Sequence, residues 1–230
     1  MQKPKLIFFD AGGTLVAPRE AVGETYARLA RSYGHSVDAQ TLQAGFLKHF
    51  HAQPPLAFPN WETEAELQRL EYEWWRRLVF DVLASESLPR FDEFFAEAFE
   101  HYRQPTAWRL FDDVLPTLQA LNERGVQCAV LSNFDSRLFD LLAGFGLSRY
   151  FSGVHISARM GVAKPDGRIF EAALQTHGLQ AHEAWHVGDS LREDVAGAGN
   201  AGIKAWLIER GGNGEGGALT RLDQLVALAV

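Results

Sequence analysis

Cysteine is almost absent: Cys128 stands alone among 230 residues, so no disulfide can form within the chain. Its place in the apolar run 126–131 marks it as a packed thiol and favours a reducing, cytoplasmic home. Long apolar runs are missing as well. Lys3 and Lys5 precede apolar residues in the manner of a leader peptide, but Asp10 ends that run after four residues. No later run is long enough to span a bilayer. Positive charge is scarce, with 22 Lys and Arg against 29 Asp and Glu, a net charge of −7. Nucleic-acid binding needs a basic stripe, so that class of partner is excluded, and a membrane partner with it. An anionic substrate would have to find its positive charge locally, from a few side chains or a metal. Internal repeats are absent, and the sequence leaves the oligomeric state open, with a monomer as the default expectation.

What is present falls into two textures. Residues 17–106 read as helices alone, over 20–33, 38–51, 63–84 and 91–102, with a break at Pro54, Pro55 and Pro59. Trp61, Trp74, Trp75, Phe94 and Phe95 fall at helical spacings and are expected to form the core of that block. Elsewhere strand and helix alternate. Strands are predicted at 5–10, 126–131, 153–156, 184–187 and 203–208, and helices at 113–124, 136–145, 166–177, 191–201 and 219–228. Such alternation predicts βαβ units and an α/β fold with a parallel five-stranded sheet. The helical block is then an insertion, with linkers near 16–19 and 104–108. The glycine-rich segment 211–217 reads as a mobile loop without chemistry.

The informative residues stand at strand ends, where open α/β sheets keep their functional crevice. Leu6-Ile7-Phe8-Phe9 delivers Asp10 into a turn kept open by Gly12 and Gly13, a position suited to a nucleophile or a metal ligand. An aspartate before two glycines is also ordinary turn chemistry, so the reading depends on partners. Ser132-Asn133 ends the second strand with a hydroxyl and backbone N–H groups able to hold a phosphoryl oxygen. Lys164 precedes Pro165, which keeps it out of the helical region, and Asp166 caps the next helix. Gly188-Asp189 ends the fourth strand, and Asp194 falls in the following turn. Two carboxylates brought close repel unless a cation lies between them, and Mg2+ suits a site of few carboxylates.

With Asp10-x-x-x-Thr14, Ser132-Asn133, Lys164-Pro165 and Gly188-Asp189-x-x-x-x-Asp194 in this order, the chain resembles the haloacid dehalogenase superfamily. Finer details, such as Leu131-Ser132-Asn133-Phe134-Asp135, resemble the branch of the rhythmically expressed gene 2 product. The resemblance implies a Rossmann-like core over 1–16 and 107–230 and a helical cap over 17–106. It implies Asp10 as nucleophile and Mg2+ ligand, with the Gly12 carbonyl, Asp189 and Asp194 completing the protein's share of the metal site. Ser132, Asn133 and Lys164 would bind the transferring phosphate of a small anionic substrate, Ser132 and Lys164 taking part in catalysis, and Thr14 would support the loop.

One departure matters. Phosphatases of this superfamily carry a second aspartate two residues after the nucleophile, as acid and then base; here that residue is Gly12. Such help is worth about 10²- to 10⁴-fold in rate. The expected function is a Mg2+-dependent phosphatase-type hydrolase, weakened or borrowing an acid such as Glu20. A catalytically impaired binding protein and a 2-haloacid dehalogenase are the alternatives. Two other patterns carry nothing. Gly197-x-Gly199-x-x-Gly202 lies within a helix rather than between strand and helix, so it reads as close packing. His49-x-His51 lacks a third ligand and reads as helix surface.

Overall fold

The apolar run after Lys5 forms β1 (Leu6–Phe9), and all four residues are fully buried. The two faces of the strand belong to different cores. Ile7 and Phe9 pack with Leu118, Leu138 and Leu225, whereas Leu6 and Phe8 pack with Ile169, Phe170 and Ala198. A strand covered on both sides shows no polar alternation, which is why it reads as a continuous apolar run.

The computed structural model describes residues 3–83, 88 and 90–229. After β1 come β2 (Val16–Pro18), α1 (Val22–Ser32), α2 (Ala39–Ala52), α3 (Glu64–Leu83), α4 (Phe91–His101) and β3 (Trp108–Leu110). Then follow α5 (Val114–Glu123), β4 (Gln127–Ser132), α6 (Arg137–Gly144), β5 (Val154–Ile156), α7 (Ser157–Met160) and α8 (Gly167–His177). The chain closes with β6 (Ala184–Gly188), a π-helical turn (Leu191–Ala196) running into α9 (Gly197–Asn200), β7 (Lys204–Leu207) and α10 (Gln224–Leu228).

The α/β fold forms as expected: five parallel strands lie in the order β5-β4-β1-β6-β7. β1 is central, with Phe9 opposite Val130 of β4 and Val187 of β6. The chain winds outward through β4 and β5, then crosses back to add β6 and β7 on the far side. The ends of β1, β4 and β6 therefore meet where the winding reverses, the place at which such sheets bind ligands.

Helices α1–α4 gather a separate apolar cluster around Tyr26, Leu42, Leu78, Phe94 and Phe95. Trp75 packs against that cluster, and Trp61 packs with it against Leu56 and Leu67; the indole N–H groups of both also reach across to the sheet layer. Trp61 donates to the Arg159 carbonyl at 3.1 Å and Trp75 to Asp135 Oδ2 at 2.6 Å. The proline-rich break docks on α7, where Ser157 Oγ donates to the Leu56 carbonyl at 2.6 Å. His51 is exposed on α2 and bonds its own turn, at the Leu47 carbonyl.

Local structure differs from expectation at three places. The two linkers pair as an antiparallel ribbon, with Val16 opposite Leu110 and Pro18 opposite Trp108. Strands of three residues are too short to show a period, so only the closure of the insertion reveals them. The helix predicted over 191–201 begins instead as a π-turn, in which the Val195 N–H reaches back to the Ser190 carbonyl. The glycine-rich segment is tied at its start, because Arg210 Nη1 donates to Asp113 Oδ2 at 2.6 Å and Nη2 to the Thr14 carbonyl. Gly197 sits against Pro165 and Phe170, with room for a Cβ only 3.0 Å from Pro165 Cα, in keeping with a packing role. Among the described residues, no helix is long and apolar enough to cross a membrane.

Candidate active site

Strand register sets the site. The Asp10 N–H bonds the Val187 carbonyl at 2.9 Å, which carries the β1–β6 pairing one residue past the strand and brings Asp10 to the mouth of the sheet. Ser132 is the last residue of β4, and Gly188 the last of β6. Lys164 comes in from the loop before α8. Its Nζ donates to Asp10 Oδ1 at 2.6 Å and to Asp194 Oδ1 at 2.5 Å. Asp194 Oδ1 also faces His186 Nε2 at 2.8 Å, and its Oδ2 accepts the Ser190 N–H at 3.0 Å. Asp10, Ser132, Lys164, His186 and Asp194 are all buried, and Asp189 stands exposed at the rim.

Glycines make room for these carboxylates. A Cβ on Gly188 would lie 2.1 Å from Asp194 Cγ, and one on Gly13 would lie 2.1 Å from Asp189 Oδ2. Gly13 also has φ of +71°, which L side chains rarely adopt. Gly12 is different, since among the described residues a Cβ there would meet no heavy atom within 4 Å.

Charge at the site is unbalanced. Burial alone would lower the Lys164 pKa, but Asp10 and Asp194 hold it above the ordinary lysine value. Burial works against the Asp194 carboxylate too, yet Lys164 and His186 keep its pKa below the usual range. Burial raises the Asp10 pKa against the pull of Lys164, and the Asp194 charge adds to the rise. On the inner side of the rim, desolvation and then the charges of Asp10 and Asp194 push Asp189 up to about 7. Burial lowers the His186 pKa, so the ring is neutral and donates from Nε2.

Three carboxylates thus share one ammonium. Oxygens of Asp10, Asp189 and Asp194 lie within 4.8 Å of one another, a hard, all-oxygen donor set that suits a divalent cation such as Mg2+. The repulsion from Asp10 and Asp194, which adds to desolvation in raising Asp189, is what such a cation would relieve.

The strand-end residues picked out in the sequence meet here. The Asn133 side chain is taken up by the neighbouring loop and turn. Its Oδ1 accepts the Lys164 N–H at 2.8 Å, and its Nδ2 donates to the Lys164 carbonyl at 2.9 Å and to Glu193 at 3.0 Å. Asn133 is a clamp on Lys164. Thr14 is fully buried in the turn, and it is the carbonyl, held by Arg210, that ties the turn down; the hydroxyl has no hydrogen-bond partner among the described residues. Glu20 accepts from Thr25 at 3.2 Å and Arg28 at 3.4 Å. Sequence reasoning missed His186. The signal was available, because a histidine in a strand buried on both faces must find a polar partner.

Helix α3 docks beside this crevice. Its Glu71 accepts from the N–H of Ser136 at 2.9 Å and from the Ser136 hydroxyl at 2.8 Å. Burial, and then the Asp135 charge, raise Glu71 to about 7. A cavity of about 520 Å³ opens at this seam, lined by Glu71, Tyr72, Phe99, Ser136, Arg137 and Arg159 among others.

Comparison with known proteins agrees with the geometry. A family model described as haloacid dehalogenase-like hydrolase matches residues 4–202. Haloacid dehalogenase-like hydrolase domain-containing protein 3 of Mus musculus is 34% identical over 207 residues, covering 89% of this chain and 81% of that protein. The rhythmically expressed gene 2 protein of Drosophila melanogaster is 27% identical over 215 residues, covering 89% and 82%. A phosphoserine phosphatase of Thermus thermophilus is 38% identical over 117 residues, which is 50% of this chain and 46% of that one. Among solved structures, a HAD phosphatase from Thermococcus onnurineus superposes with a TM-score of 0.67 at 24% identity, over 99% of this chain and 97% of that one. That likeness speaks to the fold.

Proposed function

The chain belongs to the haloacid dehalogenase-like hydrolases, and from that premise we propose that it is a Mg2+-dependent phosphatase-type enzyme working through an aspartyl-enzyme intermediate. Its substrate is a small phosphorylated metabolite, and it works as a cytoplasmic monomer. Residues 1–16 and 107–230 form the catalytic core, and residues 17–106 form the cap that selects the substrate. The observation that carries this reading is the contact of Lys164 with both Asp10 and Asp194, beside Asp189.

Asp10 attacks phosphorus with the carboxylate oxygen that faces the crevice. The Lys164 ammonium offsets charge on Asp10 and on the phosphoryl oxygens, and Ser132 holds one of those oxygens. Asn133 keeps Lys164 in place through both of its backbone groups. Asp10, Asp189, Asp194 and the Gly12 carbonyl would hold Mg2+, which supplies further charge neutralisation on the phosphoryl oxygens. The dehalogenase alternative gives the paired acids Asp189 and Asp194 no role, and so has less support.

p-Nitrophenyl phosphate tests this. Phosphate should be released with Mg2+, and neither EDTA-treated protein nor Asp10→Asn should release it. Failure across a panel of activated phosphates would overturn the phosphatase reading.

A further inference from the structure

We infer that this chain takes acyl and aryl phosphates, whose leaving groups need no proton, and that the phosphoryl group then stays on Asp10 as a long-lived aspartyl phosphate. The inference rests on the aspartyl-enzyme reading above and turns on Gly12. Beyond its Cα there is open space, where an acid/base side chain would have to stand. The other candidate groups are already engaged: Asp189 would be held on the metal in the reading above, and Glu71 accepts from the Ser136 N–H and hydroxyl. Asp194 is bonded by Lys164, His186 and the Ser190 N–H. Glu193 accepts from Asn133, and Glu20, the acid the sequence offered for loan, accepts instead from Thr25 and Arg28 of α1. His186 stands behind Asp194, with its remaining ring nitrogen buried and without a partner.

The two half-reactions need protons differently. In the first, an Asp10 oxygen uses a lone pair to form the O–P bond while the bond from phosphorus to the leaving group breaks. The departing electron pair stays on a carboxylate or phenolate, a weak base that leaves unprotonated. An alkyl phosphate would have to expel an alkoxide, which requires an acid. In the second, a water oxygen bonds phosphorus, the Asp10 carboxylate departs with its electron pair, and the water must lose a proton. Gly12 offers no group to accept that proton, so it passes unassisted to bulk water. Such assistance is typically worth about 10²- to 10⁴-fold, enough to make the second step limiting.

The full-length protein is mixed with Mg2+ and either acetyl phosphate or p-nitrophenyl phosphate, and intact mass is followed alongside product release. We expect a burst of about one equivalent of nitrophenolate, a phosphoryl adduct removed by hydroxylamine, and a slow steady phase. Asp10→Asn should abolish both burst and adduct. Gly12→Asp has room for its Cβ; it should abolish the adduct and speed the steady phase about 10²- to 10⁴-fold. Should that variant not fold, glycerol phosphate on the unaltered protein gives the second comparison, and neither burst nor adduct should appear with it. Steady turnover of the aryl phosphate with neither burst nor adduct overturns the inference and leaves the proposed function standing. An adduct that survives Asp10→Asn also overturns it. Neither product nor adduct from either probe overturns both.

Discussion

His186 places its Nε2 atom 2.8 Å from Asp194 Oδ1, and that contact fixes the tautomer of a fully buried ring. A carboxylate accepts only, so the proton sits on Nε2, and Nδ1 is left buried without a partner among the described residues. A charged imidazolium would bury an unpaired N–H, so the ring serves as a neutral donor that orients Asp194. Replacing it by leucine, His186→Leu, should cost about 1–3 kcal/mol by leaving Asp194 short of a donor. His186→Gln, with an amide N–H at similar reach, should recover most of the loss. Thermal melts of the three proteins check this, and equal melting temperatures would remove the orienting role.

Asn133 has a comparable task one step away, since it grips Lys164 by N–H and carbonyl together. Asn133→Ala leaves Lys164 its ion pairs but frees its backbone. The expected outcome is a fall in kcat of about tenfold or more with KM little changed, because a small displacement of a positioning group is felt mainly in the transition state. A rise in KM alone would instead make Asn133 a substrate ligand.

Glu71 ties helix α3 to the start of α6, and its pKa stands at about 7 against a usual glutamate value near 4.5. Its carboxyl holds a proton in the folded protein, between those values, that the unfolded chain has already lost. Its contribution to stability is therefore greatest below about 4.5, falls as pH rises to about 7, and is level above that. Glu71→Gln keeps an acceptor for Ser136 and removes the titration. Relative to that variant, the wild type should lose on the order of 2 kcal/mol between pH 5 and pH 8. Parallel melting curves across pH would show that the carboxyl does not titrate there.

How much of this was legible beforehand follows from the length scale of each signal. Leu6–Phe9 is a four-residue apolar run ending in Asp10, and both its burial and its place in a parallel sheet could be read directly. Asp10, Ser132, Lys164 and Asp189 stand at the ends of such runs or of loops, so their meeting followed from the topology. The ribbon of Val16–Pro18 with Trp108–Leu110 could not be read, because neither piece is long enough to show alternation. Arg210 was hidden for another reason. It stands just before a glycine-rich stretch that looks unstructured, and its partners Thr14 and Asp113 are close only after the sheet closes. The clamp of Asn133 on Lys164 is likewise a tertiary contact, and composition gives no hint of it.

Crystals grown with Mg2+ test the central claim most directly, through the electron density at the mouth of the sheet. The account predicts one octahedral ion at about 2.0–2.1 Å from oxygens of Asp10, Asp189 and the Gly12 carbonyl, with Asp194 beside it. Carboxyl oxygens of Asp10 and Asp189 turned into separate pockets, with the ion bound elsewhere or not at all, would contradict it.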